Sequence, residues 1–319
     1  ANGLGGIVGR MRSAMTIDHC INKGTVSCPT NATGKYWTGG IIGWASGAGT
    51  ISYCQNMGTV AGPYPTGGIL GYGVPTITGC GNAGTVENKV DWQGCGGVAG
   101  LLASGGVIEK SYNIGYVVSG RSAGIVRTAQ AGSTVRNCFN AGKVETKYTG
   151  RYASGIAYEA LGTFTNCYNV GDIVASSASD KYELCASGSG AQTNMYTKAQ
   201  IESDSASFVS TSGSGVWTTI SGYSAPWPVG VDAPMLGTDQ FPYLVKTASD
   251  FMAIANEPDK VYCVVNDIDL GSYTPFAFTG HLYGDTKGGE YPALNVDINM
   301  PTVLYVGLFS KVNDNAKIE

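Results

Sequence analysis

Glycine supplies 48 of the 319 residues, about twice its usual share, yet far below the one residue in three of collagen. Hydrophobic residues make up 43%, charged residues 13%, and the formal net charge is -4, a balance that excludes a disordered chain. Residues 1–150 carry eleven Lys and Arg against five Asp and Glu, and residues 151–319 eight against eighteen, but the basic residues are scattered and the pI is about 5.2, which excludes a nucleic-acid binder.

No apolar run reaches the about 18 residues of a membrane span, so no membrane insertion is expected. The opening Ala1-Asn2-Gly3 lacks the parts of a signal peptide; the chain reads as already processed, or as a piece of something longer.

In chain order, six segments align without gaps: Thr16 to Val26, Thr50 to Val60, Thr76 to Val86, Val107 to Val117, Thr134 to Val144 and Thr163 to Ile173. Their seventh residue is always Asn (Asn22, Asn56, Asn82, Asn113, Asn140, Asn169) and their ninth always Gly. A Gly-Gly-Ile-type block precedes each: Gly5 to Gly9, Gly39 to Gly43, Gly67 to Gly71, Gly96 to Gly100, then Ala123 to Arg127 and Ser154 to Tyr158, which have lost the first glycine. Each repeat thus offers three short β-type pieces, G-I-x-G, T-I-x-x-C and G-T-V, none long enough for a helix. Strands this short gain stability only by stacking on their neighbours. The expected fold is therefore all-β: a parallel β-helix or solenoid of about six coils, with glycine at corners that need close approach or positive φ. Stacked side-chain amides give the Asn column a structural reading, a ladder running from coil to coil.

The nine cysteines divide in two. Cys20, Cys54, Cys80, Cys138 and Cys167 share one repeat position, with Ser111 in the fourth copy. In-register stacking places their Cβ atoms about 4.8 Å apart, beyond ordinary disulfide geometry, so a column of free buried thiols is expected. Cys28, Cys95, Cys185 and Cys263 lie outside it, and their pairing stays open. With no C-x-x-C and no H-E-x-x-H, neither a metal site nor a cofactor is expected.

Catalytic groups are sparse. His19 and His281 stand alone, and the equivalents of His19 (Tyr53, Gly79, Lys110, Asn137, Asn166) indicate an outward, tolerant position. Residues 1–150 hold only Asp18, Glu87, Asp91, Glu109 and Glu145. Asp18 and Glu109 share a register three coils apart, about 14 Å at about 4.8 Å per coil, too far for a glycosidase pair. Asp267 and Asp269 would share one side of a strand, a spacing that suits Ca²⁺ or simply a solvated face. The segment between G-T-V and the next G-G-I varies in length and carries Tyr36, Trp37, Tyr64, Trp92, Tyr148 and Tyr152. Of these, Trp37, Tyr64, Trp92 and Tyr152 are the candidates for stacking on a sugar or packing against a partner protein.

The two blocks resemble those of the GLUG-repeat family of bacterial surface proteins, and Asn166-Cys167-Tyr168-Asn169-Val170-Gly171-Asp172-Ile173 is the nearest copy of its N-C-Y-N-x-G element. The resemblance divides the chain into repeats over 1–196, a closing segment over 197–245 (Ala199-Gln200-Ile201, Phe208-Val209, Val216-Trp217, Phe241-Pro242-Tyr243-Leu244) and a second, smaller module opening over 246–319, of α+β or β type. In that module Ala248 to Ala255 reads as a short helix capped near Ser249 or Asp250. Tyr262 to Leu270 and Tyr305 to Phe309 resemble the family's next strands, and Gly280 to Gly284 approximates its hairpin. The resemblance implies an extracellular or cell-surface location and a non-enzymatic structural role: a stalk, an adhesin or a fibre subunit. The alternative is a carbohydrate-binding or carbohydrate-cleaving solenoid. Partners expected on this reading are a surface glycan or protein, or other copies stacked head to tail, acidic end on basic end.

Overall fold

The computed structural model describes residues 2–29, 36–90, 92–218, 225–231, 243–245, 247–264, 267–284, 293–297, 307–312 and 316–318. They belong to two compact units, Ala1–Val231 and Asp232–Glu319. Asp91, Phe241, Pro242, Asn266, Tyr305 and Val306 lie outside the described residues.

The first unit is a β-solenoid whose strands run from Asn2 to Tyr196 and stack all-parallel and in register. Each coil passes through four sheets, where the repeat pattern predicts three strands. The first sheet holds Asn2–Gly5, Tyr36–Gly39, Thr66–Gly67, Gly94–Gly96, Arg121–Ala123, Tyr152–Ser154 and Lys181–Tyr182. The second, beginning Val8–Met11 and Ile42–Ala45, carries the G-I-x-G pieces; the third carries T-I-x together with the pair that ends in the repeated Asn; the fourth opens on the last residue of G-T-V. The extra strand is the first sheet, which lies inside the stretch of variable length. Its inward column, Thr38, Thr66, Cys95, Ser122 and Ala153, is fully buried but mixes residue types, and its outward residues vary freely, so no sequence signature stands out.

A seventh coil also completes the stack. Gln192–Tyr196 pairs with Thr163–Asn169, placing Met195 beside Cys167 and Tyr196 beside Tyr168. Thr197 then stands where the next ladder Asn would fall. Its hydroxyl accepts from the Gln200 amide, and Gln200 reaches back to the Thr197 amide, a capping box that starts helix α1 (Lys198–Ser212). Replacing Asn by a helix N-cap ends the solenoid.

Two apolar columns fill the coils. Ile42, Leu70, Ala99, Val126 and Ala157 of the second sheet join Ile51, Ile77, Ile108, Val135 and Phe164 of the third in one cluster, all fully buried. Val86, Val117, Val144 and Ile173 of the fourth sheet meet Cys95 and Ala153 of the first. Sheets one and two instead touch through glycine. A Cβ on Gly43 would collide with the Leu4 amide, and one on Gly100 would lie 2.6 Å from Thr66 N.

On the outside of the third sheet, Tyr112, Phe139 and Tyr168 stack at 5.6 and 5.2 Å. They are covered by Trp227, 4.8 Å from the first two rings, and by Trp217 and Phe208, 5.3 Å from Tyr168. The corresponding residues of the first three coils are Ile21, Gln55 and Gly81. The side cover thus begins where the column turns aromatic.

In the second unit, Tyr243–Val245, Val261–Val264, His281–Gly284 and Lys317–Ile318 form a parallel sheet in that order. Phe251, Ile254, Leu270, Phe278 and Phe309 lie in its core. Helix α2 is Ala248–Ala253, and its N-cap is Thr247; Asp250 is the third helical residue, returning the bond to the Thr247 amide. The expected strand over Tyr262 to Leu270 is two strands, Val261–Val264 and Ile268–Ser272. Gly307 to Phe309 lies in a bend.

Candidate functional site

The most ordered chemical feature is the Asn column. Asn22 donates through Nδ2 to Asn56 Oδ1 at 2.7 Å, and the same bond joins Asn56 to Asn82, Asn82 to Asn113, Asn113 to Asn140 and Asn140 to Asn169 at 2.7 to 2.8 Å. The second proton of each amide goes to the carbonyl of the glycine two residues on, closing the N-x-G corner at 2.9 to 3.2 Å. Every donor is used, as a fully buried amide requires. The ladder also explains the second glycine of each G-G pair. A Cβ on Gly40 would collide with the Gly68 carbonyl and lie 2.5 Å from Asn56 Oδ1. The two sequence blocks are therefore the two halves of one lock.

The Cys column supplies hydrogen bonds as well as volume. The amides of Cys20 and Cys54 each donate to the sulfur of the next coil at 3.4 Å, and that of Cys80 to Ser111 Oγ at 3.2 Å. Each buried thiol points back to the carbonyl two residues earlier, as Cys54 does to Ser52 O at 3.2 Å and Cys138 to Arg136 O at 3.1 Å. Serine fits because it has the same donor and acceptor. Cys20, Cys54, Cys80, Cys138 and Cys167 are free thiols, as are Cys28, Cys95 and Cys185. Burial pushes the Cys80 and Cys167 thiols well above their ordinary value and that of Cys95 up to about 12. Such thiols are protonated and poor nucleophiles.

The position before Cys is more constrained than its varied residues suggest. His19, Tyr53, Gly79, Lys110, Asn137, Asn166 and Asn194 all have φ between 50 and 63°. One left-handed residue per coil turns the chain between the two parts of the third sheet. From the fifth coil onward this column becomes a second amide ladder, Asn194 donating to Asn166 and Asn166 to Asn137 at 2.9 and 3.0 Å. Two consecutive repeats with Asn before Cys carry that signal in the sequence. His19 is exposed, stacks on Tyr53 at 5.0 Å and bonds Asp18 at 2.7 Å.

Carboxylates serve local contacts. Glu109 pairs with Arg136 at 2.5 Å, and Asp18 accepts from Ser52 at 2.5 Å. Asp267 accepts from the Ala293 amide and Asp269 from that of Gly271. No group of three or more His, Cys, Asp or Glu with metal-binding geometry occurs among the described residues, and no helix among them is long and apolar enough to cross a membrane.

The four candidate binding aromatics do not meet in one place. Trp37 and Tyr152 are on strands of the first sheet, at one register position but four coils apart, about 19 Å at the coil spacing. Trp37 stacks on Tyr72 at 4.4 Å beside Trp44. Tyr64 sits in a bend where its carbonyl takes bonds from Thr66 and Asn88. Trp92 stands on a turn, 53% exposed. No family model, curated protein or solved structure matches the chain.

Proposed function

We propose that this chain is a non-enzymatic structural protein of the GLUG-repeat type, working at the cell surface or outside the cell as a stalk, an adhesin or a fibre subunit. The observation that carries the reading is the unbroken amide ladder from Asn22 to Asn169, with apolar columns in register beside it. The most regular residues of the sequence are thereby committed to holding coil on coil. The surface location rests on the motif resemblance.

Stacking between copies fits the first coil, where Ile7, Met15 and Ile21 are 43 to 45% exposed beside a strand edge. A further coil, from a second copy or from the same polypeptide, would find backbone donors and apolar side chains there. Light scattering and electron microscopy of the purified chain at low and high salt test assembly: concentration-dependent rods support it, and a clean monomer at high concentration under both conditions rejects it.

A further inference from the structure

The glycine contact between the first two sheets changes character in the fifth and sixth coils. Gly43, Gly71 and Gly100 have no room for a Cβ, yet the equivalent positions next in the column carry Arg127 and Tyr158. On the first sheet, Gly94 is followed in register by Arg121 and Tyr152. Large side chains thus enter from both sheets at the same level.

Their arrangement is not that of simple packing. The guanidiniums of Arg121 and Arg127 flank one ring, Tyr158, at 5.3 and 5.4 Å from its centroid. At the other end of the same sheet a single guanidinium, that of Arg10, lies over Trp44 at 3.5 Å. Tyr152 is parallel to Tyr158 at 6.1 Å, with Tyr182 edge-on to it at 5.4 Å. Arg127 donates to Thr128 Oγ1 at 2.6 Å, which in turn reaches Glu159, while its buried Nε has no hydrogen-bond partner. Neither guanidinium has a carboxylate within ion-pair distance among the described residues. Burial, and then the neighbouring Arg121, loosen the hold of Arg127 on its proton. All five of these Arg and Tyr side chains are half-buried, so a ligand can reach them.

We infer that Arg121 and Arg127 with Tyr152, Tyr158 and Tyr182 form a binding site for an acidic saccharide. Two guanidiniums gathered on one ring, with no carboxylate of the described residues in ion-pair distance, suit a sugar carboxylate, which would relieve their mutual repulsion. Tyrosine faces beside them suit the apolar face of the sugar ring. The site goes beyond the structural role: a scaffold that binds no sugar is still a scaffold.

Titration calorimetry of the full chain with an oligogalacturonide, the matching neutral oligogalactoside and inorganic phosphate tests it. The acidic oligomer should bind and the neutral one should not. Arg121→Gln or Arg127→Gln should each weaken binding at least tenfold, Tyr152→Ala should weaken it too, and Arg10→Gln should leave it unchanged, with circular dichroism reporting intact folding. Because the Nε of Arg127 is buried, Arg121→Gln keeps the test open if Arg127→Gln fails to fold. Absence of binding, binding indifferent to Arg121→Gln, or phosphate competing as well as the oligomer with no dependence on Tyr152 would overturn the assignment.

Discussion

Replacing Asn113 by Ala is the sharpest perturbation of the ladder. Asn113 is fully buried; it accepts from Asn82 at 2.7 Å and donates to Asn140 Oδ1 at 2.7 Å and Gly115 O at 3.1 Å. Alanine strands one proton of Asn82 and two acceptors in a site that water does not reach. At about 1–3 kcal/mol for each unsatisfied buried group, the low end applying where a group keeps one partner, the cost is about 3–5 kcal/mol. Asn22 supplies the comparison, since it lies at the end of the ladder and no other ladder Asn donates to it. Asn22→Ala orphans chiefly Asn56 Oδ1 and costs about 1–2 kcal/mol. For a unit of this size 1 kcal/mol moves Tm by about 2–4 °C, so the two variants should separate by several degrees. Asn113→Asp, which keeps the shape, should be no milder, because a second oxygen would face two acceptors. Urea unfolding followed by circular dichroism and tryptophan fluorescence reads these differences. An Asn113→Ala protein as stable as Asn22→Ala would refute the ladder as a source of stability.

Three further outcomes follow from other parts of the coil. Gly40→Ala should prevent folding, since its Cβ would strike backbone and the Asn56 amide, whereas Gly150→Ala, at φ 67° in open space, should cost only about 1–2 kcal/mol; soluble, equally stable proteins would contradict the lock. Stability should fall in alkali. The folded Cys95 thiol titrates at about 12 against about 8.5 unfolded, so its contribution is complete below about pH 8.5 and declines by about 1.4 kcal/mol per pH unit as pH rises toward the folded value. Urea midpoints of the wild type and Cys95→Ala at pH 8 and 10 should show the shallower loss in the variant, and equal losses would argue against the assignment. Trp227→Ala should remove about 3–5 kcal/mol of cover from the Tyr112–Phe139–Tyr168 column. Hydrogen exchange should then rise in helix α1 and 225–231 while the first three coils stay protected; unchanged exchange there would contradict the side-cover role.

What was legible in the sequence is what the stack repeats at every level. Asn and Gly must recur because each meets its own copy above and below, so the ladder, the thiol column and the parallel coils could be read from spacing alone. The first-sheet strands escaped because their outward residues have no such constraint. The seventh coil escaped because Met195 and Thr197 replace Cys and Asn. The left-handed column was hidden by its own variety, since Tyr53 and Lys110, types that seldom take positive φ, share it with Gly79, Asn137 and Asn166. The arginine and tyrosine cluster escaped because its members come from two sheets; what marks it in the repeat is Ala123 and Ser154 closing first-sheet strands in place of glycine, and Arg127 and Tyr158 standing where the earlier blocks end in glycine.

Side-chain amide exchange measured by NMR addresses the central claim most directly. If coil holds coil through the Asn column, the Nδ2 protons of Asn56, Asn82, Asn113 and Asn140 should resist exchange with solvent as strongly as the backbone amides of the surrounding strands. Exchange of those four side chains at the rate of exposed asparagine would contradict the account.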